Sequence, residues 1–200
     1  MRPVVLLDCD GPLSQFTQSY LDAVRIETGV KIPVDAVDRW DIHKTAAFVE
    51  AATTAGLSPG DLKSRVIQRV CTVGFCDAIK PQPDAQAIVA MLEAQADVYV
   101  VTSPWDSSPT WMFERLHWVH RHLGLPRSRV IQTGTKHLIR GDVFVDDKAT
   151  HVREWGKAWP NAKAILFDMH HNKVDADDLK RGGWRDVIAS LPTGSVDGKP

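Results

Sequence analysis

The chain lacks the marks of several large protein classes. Its longest apolar runs are strand-sized, far below the ~20 residues a membrane-spanning helix needs. Formal net charge is −1 with acids and bases interspersed, so there is neither a basic stripe for a nucleic-acid polymer nor an acidic tail. Cysteine is scarce: Cys9, Cys71 and Cys76 are an odd set with no C-x-x-C pair, which fits reduced, buried thiols in a cytoplasmic protein. An apolar run begins almost at the first residue and leaves no room for a signal peptide. No repeat or low-complexity tract is visible. What is present is a chain of 200 residues, 44% hydrophobic, with seven tryptophans. That is enough for one core domain plus a modest insertion.

The most informative segment is Val4-Val5-Leu6-Leu7-Asp8-Cys9-Asp10-Gly11. A run of branched apolar residues reads as a buried parallel strand, and Gly11-Pro12 behind it is a turn signal. Strand alternation returns residues i and i+2 to one face, so Asp8 and Asp10 are expected in one crevice. The carboxyl end of a parallel strand is where open α/β sheets bind ligands. Two carboxylates this close repel, and a metal ion or a shared proton must offset them. An acidic turn is the plainer alternative for this octapeptide alone.

Four further runs read as buried strands: 97–102, 129–132, 142–146 and 164–168. Helical spacing links Ile88, Met91, Leu92 and Gln95 over 84–95, and Met112, Leu116, Val119 and Leu123 over 109–123. The second of these has Pro109 near its start and Gly124 at its end. Alternating strands and helices predict an α/β fold with a doubly wound parallel sheet. Residues 14–80 break the rhythm and read as helices (16–28, 45–55, 61–71) without a strand. The expected division is therefore an α/β core of 1–13 and 81–192, a helical cap of 14–80 inserted after the first strand, and a flexible tail of 193–200.

Three more sites fall at strand ends or loops. Thr102-Ser103 ends a strand in two hydroxyls, Lys136 lies on a loop, and Asp146-Asp147 ends another apolar strand in paired acids. Taken singly these read as an ST-turn, a solvated lysine and a helix N-cap. In order, D-x-D, Thr/Ser, Lys and D-D resemble the motif set of the haloacid dehalogenase superfamily. The finer spacing resembles the 5'(3')-deoxyribonucleotidase family: Thr102-Ser103-Pro104, Glu114-Arg115, Trp118-Val119, Lys136 and Val145-Asp146-Asp147. Two departures stand out. Pro12 replaces the family's aliphatic residue and Arg115 its lysine, and arginine is not an equivalent point charge.

The resemblance implies a Rossmann-like core and a phosphomonoester hydrolase using Mg²⁺. Asp8 is implied as nucleophile and metal ligand, and Asp10 as acid/base group holding the metal through its main-chain carbonyl. Asp146 and Asp147 supply further ligands. Thr102, Ser103, Lys136 and Arg115 are expected around the phosphate, and Phe16, Trp40 and Phe75 as walls around a base, or else as lid packing. The implied substrate is a small nucleoside monophosphate. Alternatives are a phosphatase for another metabolite and a binding module without turnover, though a binding module has no need of Asp10. The resemblance leaves room for a homodimer. His170-His171 reads as an ordinary loop, and none of the eight histidines is assigned a role.

Overall fold

This computed structural model describes residues 2–174 and 176–191; the expected tail, 193–200, lies outside them. Six strands form one parallel sheet: β1 (Val4–Leu7), β2 (Asp97–Thr102), β3 (Val130–Gln132), β4 (Val143–Asp146), β5 (Lys163–Phe167) and β6 (Arg181–Gly182). Their order is β3-β2-β1-β4-β5-β6. The chain winds outward on one side of β1 and then returns to build the other side, which is the doubly wound topology expected from sequence. A topological switch point falls between β1 and β4.

Strand alternation divides the apolar residues into two cores. Val5, Leu7, Val98, Val100, Val143, Val145 and Ile165 face one way. They meet α5 (Ala85–Glu93), α6 (Trp111–Leu123) and α8 (Trp184–Ala189). Leu6, Val101, Phe144 and Leu166 face the other way, toward Val152 and Trp155 of α7 (Ala149–Ala158). The Trp155 indole stacks on Phe144 with ring centroids 5.1 Å apart. Each fully buried aliphatic or aromatic side chain of this kind contributes about 1.5–3 kcal/mol.

Between β1 and β2 the chain forms α1 (Phe16–Thr28), α2 (Ala46–Thr54), α3 (Pro59–Val70) and α4 (Phe75–Ala78). Local chemistry sets their ends. Gly29 closes α1 in the left-handed region (φ 75°), the Thr45 hydroxyl accepts from Phe48 N–H, and Ser58 caps α3 with Pro59 at its first turn. Tyr20, Val24, Phe48, Leu62, Val66 and Val70 share an apolar cluster separate from the two sheet cores. No described helix is long and apolar enough to cross a membrane.

Several details differ from expectation. Helix α8 and the two-residue β6 are too short to show a period. Of the stripe predicted on α6, Val119 and Leu123 are buried but Met112 is exposed, and Trp111, Arg115 and Trp118 complete the inward face. The indoles supply more apolar area than a methionine, so they set the inward face. Met91 on α5 is likewise exposed, and Val89 takes the buried position.

Candidate active site

Register brings the acids together. Leu7 of β1 pairs with Val100 of β2 on one side and Val145 of β4 on the other. The next residue, Asp8, therefore lies beside the ends of both neighbours, level with Val101 and Asp146 and one residue short of Thr102. Asp8 N–H donates to Val145 C=O at 2.8 Å and holds this alignment one residue past the strand. Ligand oxygens of Asp8, Asp146 and Asp147 lie within 4.8 Å of one another, and all three residues are buried. Gly11 makes the approach possible. Its φ is +100°, and a Cβ there would come within 2.0 Å of Asp147 Oδ2.

Lys136, expected on a loop, is buried at 2% exposure in a short 3-10 turn, Lys136–Leu138. Its Nζ donates to Asp8 Oδ1 and Asp146 Oδ2, both at 2.7 Å. Three carboxylates against one ammonium leave a net charge of −2 when all are ionised. The electrostatics follow. Burial pushes the Asp8 carboxyl well above its usual value, Lys136 opposing and the neighbouring acids adding to the rise. Burial also raises Asp147, against His171. At Asp146 burial is outweighed by Lys136 and His151, which hold it below its usual value. Lys136 is desolvated too, yet Asp8 and Asp146 keep its ammonium charged. Asp147 Oδ1 is buried without a hydrogen-bond partner, and so is Thr102 Oγ1 at the end of β2. Ser103 Oγ lies 3.5 Å from Thr133 C=O. A buried pocket with excess negative charge, carboxylate oxygens only, and an orphaned oxygen fits a hard divalent cation.

Asp10 stands apart from the three acids. The strand ends at Leu7, so a turn rather than strand alternation carries Asp10 to the cleft. Its Oδ1 accepts from Ser14 Oγ at 2.6 Å. Arg115 Nη2 donates to Oδ1 at 2.7 Å and to Oδ2 at 3.0 Å, while Nη1 reaches Cys9 Sγ at 3.0 Å. Arg115, expected on the phosphate, is fully buried behind the D-x-D turn instead. Its guanidinium lies 5.2 and 5.3 Å from the Trp111 and Trp118 rings. Helix α6 presents that face inward, and Asp10 is the anion it meets. Burial pushes the Cys9 thiol up, as expected for a packed cysteine.

From Asp10, Gly11 and Asp147 a cleft of about 390 Å³ opens toward the helical segment. Phe16 and Trp40 line it, but Phe75 does not: its ring stacks on Trp111 with centroids 6.5 Å apart. Sequence reasoning passed over Tyr20, His43, Trp105 and His171. The Tyr20 hydroxyl bonds His43 Nε2, and His43 Nδ1 lies 3.0 Å from Asp41 Oδ1. Trp105 directly follows the Thr-Ser-Pro segment, a signal that was available. The others carried none, because their meeting depends on packing.

Comparison with known proteins gives one consistent picture. Residues 2–191 match the family described as 5' nucleotidase, deoxy (pyrimidine), cytosolic type C protein. A human protein named 5'(3')-deoxyribonucleotidase, cytosolic type, is 31% identical over 197 residues, covering 93% of both chains. Among solved structures, a haloacid dehalogenase-like hydrolase from Streptococcus pneumoniae superposes with TM-score 0.55 at 12% identity, covering 94% of this chain and 97% of the other. A haloacid dehalogenase superfamily hydrolase from Geobacter sulfurreducens does so with TM-score 0.53 at 15% identity, covering 94% and 95%. At these identities the two structures speak for the fold alone.

Proposed function

We propose a reaction from one premise: the chain belongs to the 5' nucleotidase, deoxy (pyrimidine), cytosolic type C family, a phosphatase family of the haloacid dehalogenase superfamily. The reading is a Mg²⁺-dependent hydrolysis of (deoxy)ribonucleoside monophosphates through an aspartyl-phosphate. The observation that carries it is the buried Asp8–Asp146–Asp147 cluster, bridged by Lys136 and opening into an aromatic cleft.

Asp8, Asp146 and Asp147, with the main-chain carbonyl of Asp10, would hold the ion. Once bound it neutralises the pocket and lets an anionic carboxylate approach a phosphate dianion. Asp8 attacks phosphorus through a carboxylate oxygen as the ester P–O bond breaks. Asp10 gives a proton to the departing sugar oxygen. It then takes one from the water that attacks phosphorus, which frees Asp8 and releases phosphate. Of its two oxygens, Oδ1 accepts from both Ser14 and Arg115 and Oδ2 only from Arg115, at the longer distance, which supports Oδ2 as the one that moves that proton. Arg115 and Ser14 orient the carboxylate. Lys136, the unpaired Thr102 hydroxyl and Ser103 meet the phosphoryl oxygens and spread their charge. Residues 14–80 act as the cap, with Phe16 and Trp40 walling the base and excluding water.

A phosphatase screen over nucleoside monophosphates, run with and without EDTA, tests the reading. Turnover that EDTA abolishes and Mg²⁺ restores, highest on deoxynucleotides, is expected. Activity indifferent to EDTA, or confined to non-nucleotide phosphates, would refute it.

A further inference from the structure

The pair His170-His171 divides in the structure. His171 is buried at 9% exposure and lines the cleft. Its Nε2 stands 3.2 Å from Asp147 Oδ2 but off the line of a hydrogen bond and is buried without a partner, and Asp147 Oδ1 is likewise buried and unpaired. The same ring meets Trp40 edge-on, with centroids 5.1 Å apart at 74°. Lys148 Nζ lies 5.3 Å from that indole.

The backbone holds this arrangement in place. His171 belongs to a 3-10 turn, His170–Asn172, beyond β5. Asn172 Nδ2 donates to the main-chain carbonyl of Asp147 at 2.8 Å and to that of Phe167 at 2.7 Å. Arg181 of β6 donates to Asn172 Oδ1 and to its main-chain carbonyl, both at 2.6 Å. The turn carrying His171 is thus pinned to the backbone of Asp147 itself. Asp146 differs: its side chain accepts from Lys136, His151 and the Lys148 N–H. Among the described residues, His171 is the basic side chain that comes within ion-pair distance of the Asp147 carboxylate.

We infer that His171 is a positioning residue that aims Asp147 at the metal and ties that acid to the Trp40 wall of the cleft. A small rotation of the ring brings its Nε2–H, already 3.2 Å from Asp147 Oδ2, into line with that oxygen, while the unpaired Oδ1 is left for the cation. Carboxylates that ligate metals are ordinarily oriented by such an outer hydrogen bond, and losing one typically weakens metal binding 10–100-fold. The same ring packs against Trp40, so the metal acid and the base wall share one side chain. This rests on the reading that the acidic cluster holds Mg²⁺.

Isothermal calorimetry of Mg²⁺ binding to the intact protein separates the two contacts. His171→Phe keeps a ring against Trp40 but has no donor. It should bind Mg²⁺ 10–100-fold more weakly, yet at saturating Mg²⁺ keep the wild-type ratio of KM for nucleotide to KM for aryl phosphate. His171→Gln places an amide nitrogen near the Nε2 position but has no ring. Its Mg²⁺ affinity should stay nearer to wild type than that of His171→Phe, and its preference for nucleotide over aryl phosphate should fall. If His171→Phe does not fold, His171→Asn, whose shorter amide does not reach Asp147, is the comparison without the donor. Wild-type affinity in the variant without the donor would overturn this inference alone. A wild-type protein that binds no Mg²⁺ would overturn the metal reading and this inference with it.

Discussion

Replacing Arg115 with methionine removes a fully buried guanidinium while filling much of its volume. The lost contacts are Nη2 to both Asp10 oxygens (2.7 and 3.0 Å), Nη1 to Cys9 Sγ (3.0 Å) and the faces of Trp111 and Trp118. Removing one partner of a buried ion pair costs about 3–5 kcal/mol, because the other charge is left uncompensated. Asp10 is 21% exposed at its side chain and regains some water, which moves the expectation toward the lower end. Loss of the indole contacts adds roughly 0.5–2 kcal/mol. A net loss of about 3–5 kcal/mol corresponds to a fall in Tm of roughly 6–20 °C for a chain of this size. Denaturant unfolding of the metal-free protein measures it. In the double variant with Asp10→Asn the two costs should fall short of additivity by about 0.5–3 kcal/mol, since the stranded charge is gone. Folded Arg115→Met should lose kcat, because Asp10 is no longer oriented, and keep its KM for aryl phosphate. A variant that loses under ~1 kcal/mol while its KM for every phosphate rises sharply would refute the reasoning and return Arg115 to the substrate.

Asp8→Asn should abolish turnover without lowering the thermal stability of the EDTA-treated protein, since a neutral amide relieves repulsion from Asp146 and Asp147; retained turnover would exclude Asp8 as nucleophile. Asp10→Asn should keep Mg²⁺ affinity and lose ~10²–10⁴ in kcat, whereas a shifted Mg²⁺ requirement at unchanged kcat would assign Asp10 to the metal. Phe16→Ala or Trp40→Ala should cost nucleotides ~1–3 kcal/mol in KM and spare aryl phosphate; equal losses on both substrates with a lowered Tm would mean packing alone. Burial raises Asp8 and Asp147 above the unfolded value of 3.8, so the native state holds protons that the unfolded chain has released. Metal-free stability should therefore fall as pH climbs from the unfolded value through the raised folded ones. Mg²⁺, which needs both carboxylates ionised, should raise Tm more at about pH 7.5 than at about pH 5; equal shifts would contradict this.

By itself the sequence determined the sheet and the end of it that does chemistry. Val4–Leu7 and Val143–Val145 are short, branched and uninterrupted, so they read as buried strands, and their abrupt endings in aspartate mark one edge as polar. Once the strands are parallel, their shared direction brings those endings together, which is why Asp8, Asp146 and Asp147 were legible as a group. Helix facing was not legible in the same way. The spacing of α6 allows either Met112 or Trp111 and Arg115 to face inward, and only docking against Ile79 and the D-x-D turn chooses the latter. The Arg115–Asp10 pair spans 105 residues, and Lys136–Asp8 spans 128. No local pattern reports on separations of that length. The same holds for His171, whose meaning depends on a two-residue strand, β6, pinning a turn beneath Asp147. Strand-end chemistry repeats along the chain and can be read there. The choice of inward face and of partner across the fold is made by packing and desolvation, which only the tertiary structure decides.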